Sequence, residues 1–129
     1  MMDLDAFKNV NDAYGHNIGD QLLQIVATHV RESVRKYDIV ARTGGDEFLL
    51  LLPNTSLAES KTVCTRLRHE LIQPYLIQDK PVRIGASIGI ATYPDDADSL
   101  TDLSQLADKA MYRAKHTGGG LHFHNQDTE

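Results

Sequence analysis

The sequence predicts an α/β (α+β) domain, a sheet with helices packed against it. Three observations carry this reading. Stretches with apolar residues at helical spacing alternate with short, branched apolar runs. Two of those runs, Ile39-Val40-Ala41 and Phe48-Leu49-Leu50-Leu51-Leu52, flank Gly44-Gly45 and read as a tight hairpin. Residues 82–92 hold Ile84, Ala86, Ile88 and Ile90 in strict alternation, the pattern of a strand. A chain of 129 residues with 41% hydrophobic content suits one domain with one core over 1–129.

Each element has its own local reason. Asp3-Leu4-Asp5 reads as the end of a strand that gives way to a loop at Ala6. Asp3 and Asp5 share a face only while that strand stays regular. The strand has almost no body before Asp3, so a gap in the central sheet and a weakly anchored Asp3 are expected. The first strand and helix are expected to lie upstream, in a larger multidomain protein. Residues 8–14 form a short helix stopped by Gly15. A longer helix starts at Asn17, which can cap it, with Asp20 in its first turn near the positive end of the dipole. Leu22, Leu23, Val26, Val30 and Val34 line one face of that helix, with Ile25 at the edge. Ser56 and Glu59 stand three apart, the spacing of a capping box, and open a helix whose buried side is Val63, Leu67, Leu71 and Ile72. Pro74 ends it. Tyr93-Pro94-Asp95-Asp96 is a turn, and Ser99 starts the last helix, with Leu103, Leu106, Ala107, Ala110, Met111 and Ala114 inside. Gly118-Gly119-Gly120 stops it, and residues 121–124 form a terminal edge strand.

Composition narrows the function. The formal net charge is −5 and the sequence pI about 5.6, which argues against non-specific nucleic-acid binding. Cys64 is the only cysteine, so no intramolecular disulfide forms, and it reads as a buried helix residue. No apolar run is long enough to span a bilayer and no signal peptide is legible, so a cytoplasmic module is expected, with a membrane-anchored sensor as one setting. The informative residues are at the hairpin tip. Gly44 and Gly45 offer positive φ and close approach to the backbone. Asp46 and Glu47 follow, two carboxylates that repel unless a cation or proton intervenes. A hard divalent ion such as Mg²⁺ meets that need, takes oxygen ligands and brings phosphates with it. A solvated tight turn is the plain alternative.

The full pattern resembles the GGDEF domain, the catalytic module of diguanylate cyclases. The matching residues are Asp3-Leu4-Asp5-Ala6-Phe7-Lys8, Asn11-Asp12, Tyr14-Gly15-His16, Gly19-Asp20, residues 41–48 around Gly44-Gly45-Asp46-Glu47-Phe48, residues 86–91 and residues 107–115. The resemblance implies a central, mostly antiparallel sheet related to the palm of nucleotidyl cyclases and polymerases. It implies condensation of two GTP into cyclic di-GMP with release of two pyrophosphates, on a two-fold homodimer that uses Mg²⁺ or Mn²⁺. On this resemblance Asp3, the Leu4 carbonyl and Asp46 are the metal ligands. Glu47 joins them or helps deprotonate the 3′-hydroxyl. Gly44 and Gly45 lie against the phosphates, Lys8 and Lys115 bind them as point charges, and Asn11 and Asp20 read guanine. Arg35-Lys36-Tyr37-Asp38 matches the inhibitory product site of the family, with Arg66 as its second arginine. The plain alternative there is a basic helix end. An upstream sensory or receiver domain is the expected activator.

One position departs from the family pattern. Gly119 stands where an arginine is usual, which removes a charge-assisted phosphate contact worth about 1.5–3 kcal/mol. A module of the same fold that binds GTP or cyclic di-GMP without turnover is the second reading. A protein–protein module using the sheet alone is the third. His122 and His124 could pair on a metal but lack a third ligand.

Overall fold

The structure is a computed structural model that describes residues 1–124. Its elements are β1 (Met2–Asp5), α1 (Phe7–Tyr14), α2 (His16–Ser33), β2 (Ile39–Arg42), β3 (Glu47–Leu51), α3 (Leu57–Leu71), β4 (Tyr75–Ile77), β5 (Lys80–Val82), β6 (Gly85–Ile90), α4 (Leu100–His116) and β7 (Gly120–Phe123). The main sheet has the order β2-β3-β1-β6-β7. All its pairings are antiparallel except β6 with β7, so the mostly antiparallel sheet is as expected.

The sheet has no gap between β3 and β6. The four residues of β1 fill that place and pair on both sides, Asp3 lying opposite Glu47 on β3 and Ser87 on β6. Asp3 is only 8% exposed, so it is firmly held rather than loosely anchored. Two neighbouring strands suffice to fix a strand this short, because each supplies its own ladder of hydrogen bonds.

Alternation along the strands divides the side chains between two faces. One face carries Met2, Leu4, Phe48, Ala86 and Ile88, which join Leu22, Val26 and Val30 of α2 and Leu67 and Leu71 of α3 in the main core. The other face of β6 carries Ser87 and Gly89, and α4 lies across it. A β-carbon at Gly89 would collide with the Ala107 carbonyl and the Met111 amide, so glycine is what lets this helix touch the strand. Ala107, Ala110, Met111 and Ala114 are buried at that contact, while Leu103 and Leu106 are half-buried.

Helix starts differ from expectation at one place. α2 begins at His16 with Gly15 as its N-cap, so Asn17 does not cap it and Asp20 lies beyond its first turn. The cause is Gly15, at φ 92, whose N–H closes α1 on Asn11 O and whose carbonyl receives Gly19 N–H. One glycine thus joins the two helices and leaves no separate cap. The Ser56–Glu59 capping box forms with both bonds present. On α3 it is Cys64 that is buried, with Val63 half-buried. The strand expected over 82–92 is two strands. Val82 ends β5, which pairs with β4 in a separate hairpin, and β6 starts at Gly85.

Candidate active site

The site is assembled by register. Because Asp3 and Glu47 are directly opposed, their side chains leave the same face of the sheet. The Leu4 N–H donates to the Asp46 carbonyl at 3.1 Å, which ties the hairpin tip to the end of β1. The tip is closed by Thr43 N–H on Glu47 O at 3.0 Å and braced by Arg42 Nε on Gly44 O at 3.0 Å. Neither Gly44 nor Gly45 has a positive φ, contrary to expectation. The glycines serve by bareness instead: nothing stands within 4 Å of where a β-carbon at Gly45 would be, so the backbone there lies open.

Three carboxylates and one ammonium meet at this end of the sheet. Lys115, from the last turn of α4, places Nζ 2.8 Å from Asp3 Oδ2 and 3.9 Å from Asp5 Oδ1. The hydrogen bond to Asp3 raises the Lys115 pKa above its ordinary value, and the charges of Asp3, Asp5 and Asp46 add to it. Burial, followed by the neighbouring Asp3 charge, pushes the Asp46 carboxyl above the usual carboxylate range, and Lys115 only partly offsets this. Asp3 is therefore close enough to oppose the ionisation of Asp46. Asp3 Oδ1 is buried and accepts no hydrogen bond. A buried carboxylate oxygen without a donor, facing a second carboxylate, fits a hard divalent cation. Among the described residues no three His, Cys, Asp or Glu side chains gather around one point. Asp3 and Asp46 alone could offer two carboxylates to such an ion, which would leave most positions of an octahedral shell to other oxygen ligands.

The remaining predicted residues fall into two groups. Glu47 is half-buried, and its Oε1 accepts from Thr43 Oγ1 at 3.4 Å, so its side chain runs along the tip. Lys8 is exposed in the first turn of α1 and makes no ion pair among the described residues. Asn11 is packed against Gly19, where a β-carbon would collide with its Oδ1, and this seats Asn11 beside the turn that carries the exposed Asp20. Away from the acidic cluster, Asp38 is 5% exposed and its Oδ2 accepts from Arg35 N–H at 2.7 Å and faces Arg35 Nε at 3.5 Å. Arg35 also reaches Pro53 O and Thr55 Oγ1, and its guanidinium lies 4.8 Å from the centre of the Tyr37 ring. Arg66 donates to Ser33 O at 3.0 Å, two residues before Arg35. Arg35, Asp38 and Arg66 thus converge on the junction after α2, and Asp38 Oδ1 remains buried and unpartnered.

Sequence reasoning missed the partners of Asp5. Ser87 Oγ donates to Asp5 Oδ2 at 2.7 Å. The signal was available, since alternation puts Ser87 on the face opposite Ile88 and register sets β6 beside β1. Arg68 was also missed; its Nε donates to Ala86 O at 2.9 Å and its guanidinium lies near Gly119.

A mostly antiparallel sheet with helices on both faces, which sets a carboxylate pair and a lysine together at one end of its strands, defines a class of α/β domains with an acidic site at the sheet end. Comparison with known proteins makes the assignment specific. The family model of the diguanylate cyclase GGDEF domain matches residues 1–120, and the chain belongs to that family. It is 51% identical over 117 residues to the bifunctional diguanylate cyclase/cyclic di-GMP phosphodiesterase MucR of Pseudomonas aeruginosa. That match covers 91% of this chain and 17% of MucR, so the chain spans about a sixth of that relative. The GGDEF domain of YfiN, also called TpbB, from Pseudomonas aeruginosa superposes with a TM-score of 0.88 at 38% identity, covering 95% of this chain and 78% of that one. The GGDEF domain of DgcB from Caulobacter crescentus, solved with cyclic di-GMP, gives a TM-score of 0.88 at 26% identity, covering 96% and 75%.

Proposed function

We propose that this chain is a working diguanylate cyclase domain that joins two GTP molecules into cyclic di-GMP. The observation that carries the reading is the Asp3–Asp46 pair with Lys115 against it and a donorless, buried Asp3 Oδ1. Asp3, the Leu4 carbonyl and Asp46 would hold Mg²⁺ or Mn²⁺, which would supply positive charge for the attacking 3′-oxygen and the departing pyrophosphate. The chain's own groups do the rest. Lys8 and Lys115 bind the triphosphate tail, and the bare backbone of Gly44 and Gly45 admits it. Asn11 and Asp20 pair with guanine, and adenine is rejected because it leaves those polar groups unpartnered. Glu47 joins the metal ligands or helps deprotonate the 3′-hydroxyl.

One domain presents one α-phosphate and one 3′-hydroxyl, whereas the ring needs two of each. The active species is therefore a two-fold homodimer with its sites face to face, brought together by an upstream sensory or receiver domain. Arg35, Asp38 and Arg66 form a product site for feedback inhibition. Unpartnered Asp38 Oδ1 supports this, as an acceptor for guanine N–H groups, and so does the cyclic di-GMP complex of DgcB.

The test is to incubate the protein with GTP and Mg²⁺ and assay for cyclic di-GMP. Wild type should form it, and Asp46→Ala should lower the rate by about 10³-fold or more. Gly119 favours one second reading, a receptor that binds without turnover. Under that reading no product forms, yet cyclic di-GMP binds to Asp46→Ala and is lost in Arg35→Ala.

A further inference from the structure

Asp5 has no part in the reaction proposed above, yet the fold invests in its position. It closes β1 opposite Gly85, where a β-carbon would stand 3.1 Å from Asp5 Cβ. Ser87, fully buried, holds its Oδ2 at 2.7 Å. Gly119, at φ 92, turns a bare backbone toward the same oxygen, and a β-carbon there would stand 3.1 Å from it. The Arg68 guanidinium borders that point too, 3.4 Å away, a second positive group beside Asp5 besides Lys115. Asp5 Oδ1 is buried, accepts no hydrogen bond and faces Lys115 Nζ at 3.9 Å.

Lys115 rests on Asp3, at 2.8 Å, and Asp3 is 8% exposed. An ammonium and a divalent cation cannot both sit against that carboxylate without strong repulsion. Lysine carries its charge on a flexible four-carbon stem and can move by rotamer change alone. The nearest other carboxylate oxygen is Asp5 Oδ1, already within ion-pair reach.

We infer that Asp5 is a positioning residue: with Ser87 it forms a second seat for the Lys115 ammonium. Lys115 balances Asp3 when no divalent cation is bound, and moves to Asp5 when one is. It stays in the site, where phosphates enter. The inference rests on the reading that Asp3 holds a divalent cation.

The test measures Mn²⁺ affinity by electron paramagnetic resonance of free Mn²⁺, without nucleotide. Lys115→Met removes the competing ammonium and should tighten Mn²⁺ by about fivefold. Asp5→Asn removes the second seat and should weaken it by about the same factor in the wild-type background. In the Lys115→Met background Asp5→Asn should change the affinity by less than about twofold, because the residue acts through Lys115. Ser87→Ala, which releases Asp5 without removing its charge, should shift affinity in the same direction by less. Equal weakening by Asp5→Asn in both backgrounds would overturn the inference, as would no effect in either. Asp3→Asn separates the two levels. If it binds Mn²⁺ as wild type does, the metal reading itself is lost; if it binds poorly while the Asp5 effects are simply additive, only the role of Asp5 is lost.

Discussion

Asp46 shows how far a single residue can report on a site. Its pKa is raised, chiefly by burial and then by Asp3, so its ionised form is disfavoured in the folded chain. The sign follows directly. A carboxyl with a raised folded-state pKa favours the fold at pH below its unfolded value and loses that contribution as pH rises through the folded value. Without divalent cations, Asp46→Asn should therefore raise the melting midpoint near neutral pH, by about 1–4 °C after allowance for solvent screening. The gain should shrink toward pH 4. Thermal denaturation in a chelating buffer at several pH values checks this. A lower midpoint at neutral pH would mean that the pair is not repulsive. Lys115 works in the other direction: its raised pKa makes its contribution full below the unfolded value and lost only as pH rises through the folded one, well into alkali.

At the scale of elements, contacts between backbones decide what substitutions are tolerated. Gly89 lies under α4 with no room for a methyl group, and the obstructing atoms are backbone. Gly89→Ala should cost about 3 kcal/mol or more in a denaturant titration, and should lower activity with it, because α4 carries Lys115. Gly19→Ala is a milder case, since the obstructing atom is the end of the Asn11 side chain. It should leave the midpoint nearly unchanged while raising the KM for GTP and relaxing selection against ATP, measured by initial rates with each nucleotide. Ser56→Ala breaks the capping box and should cost about 1 kcal/mol without touching nucleotide affinity.

These elements also show what a reader of the sequence could recover. Strands β2, β3 and β7 and helices α3 and α4 are announced by period, caps and turn glycines, and local rules place them. The hairpin of β4 and β5 is not, because its turn uses Gln78 and Asp79 at positive φ where glycine or asparagine would have been the signal. The pairing of Asp5 with Ser87 is only half legible: alternation gives the face of Ser87, but the partner lies 82 residues away and depends on the sheet order. The Asp3 and Asp46 carboxylates stood out for the opposite reason, and the resemblance to the GGDEF family brought them together. Two acidic segments in short strands have few uses other than a cation.

At the scale of the whole molecule the sheet is an unequal sandwich, with α2 and α3 on one face and α4 on the other. The proposed product site around Asp38 and the acidic cluster lie at different places on it, joined by β2 and β3. Inhibition by cyclic di-GMP should therefore be non-competitive with GTP, and Arg35→Ala together with Arg66→Ala should abolish it while leaving the initial rate within about twofold. Rate against protein concentration, fitted for second-order onset, tests the need for two copies.

β1 has consequences for how such domains can vary. Its four residues are gripped from both sides, and their alternation sends Met2 and Leu4 inward while Asp3 faces the side of α4. A single inserted codon within it would turn the strand inside out, exposing the apolar pair and sealing the acid in oil. A library of one-residue insertions should thus be barren across β1 and permissive at Gln78-Asp79, where the small hairpin stands clear of the main sheet.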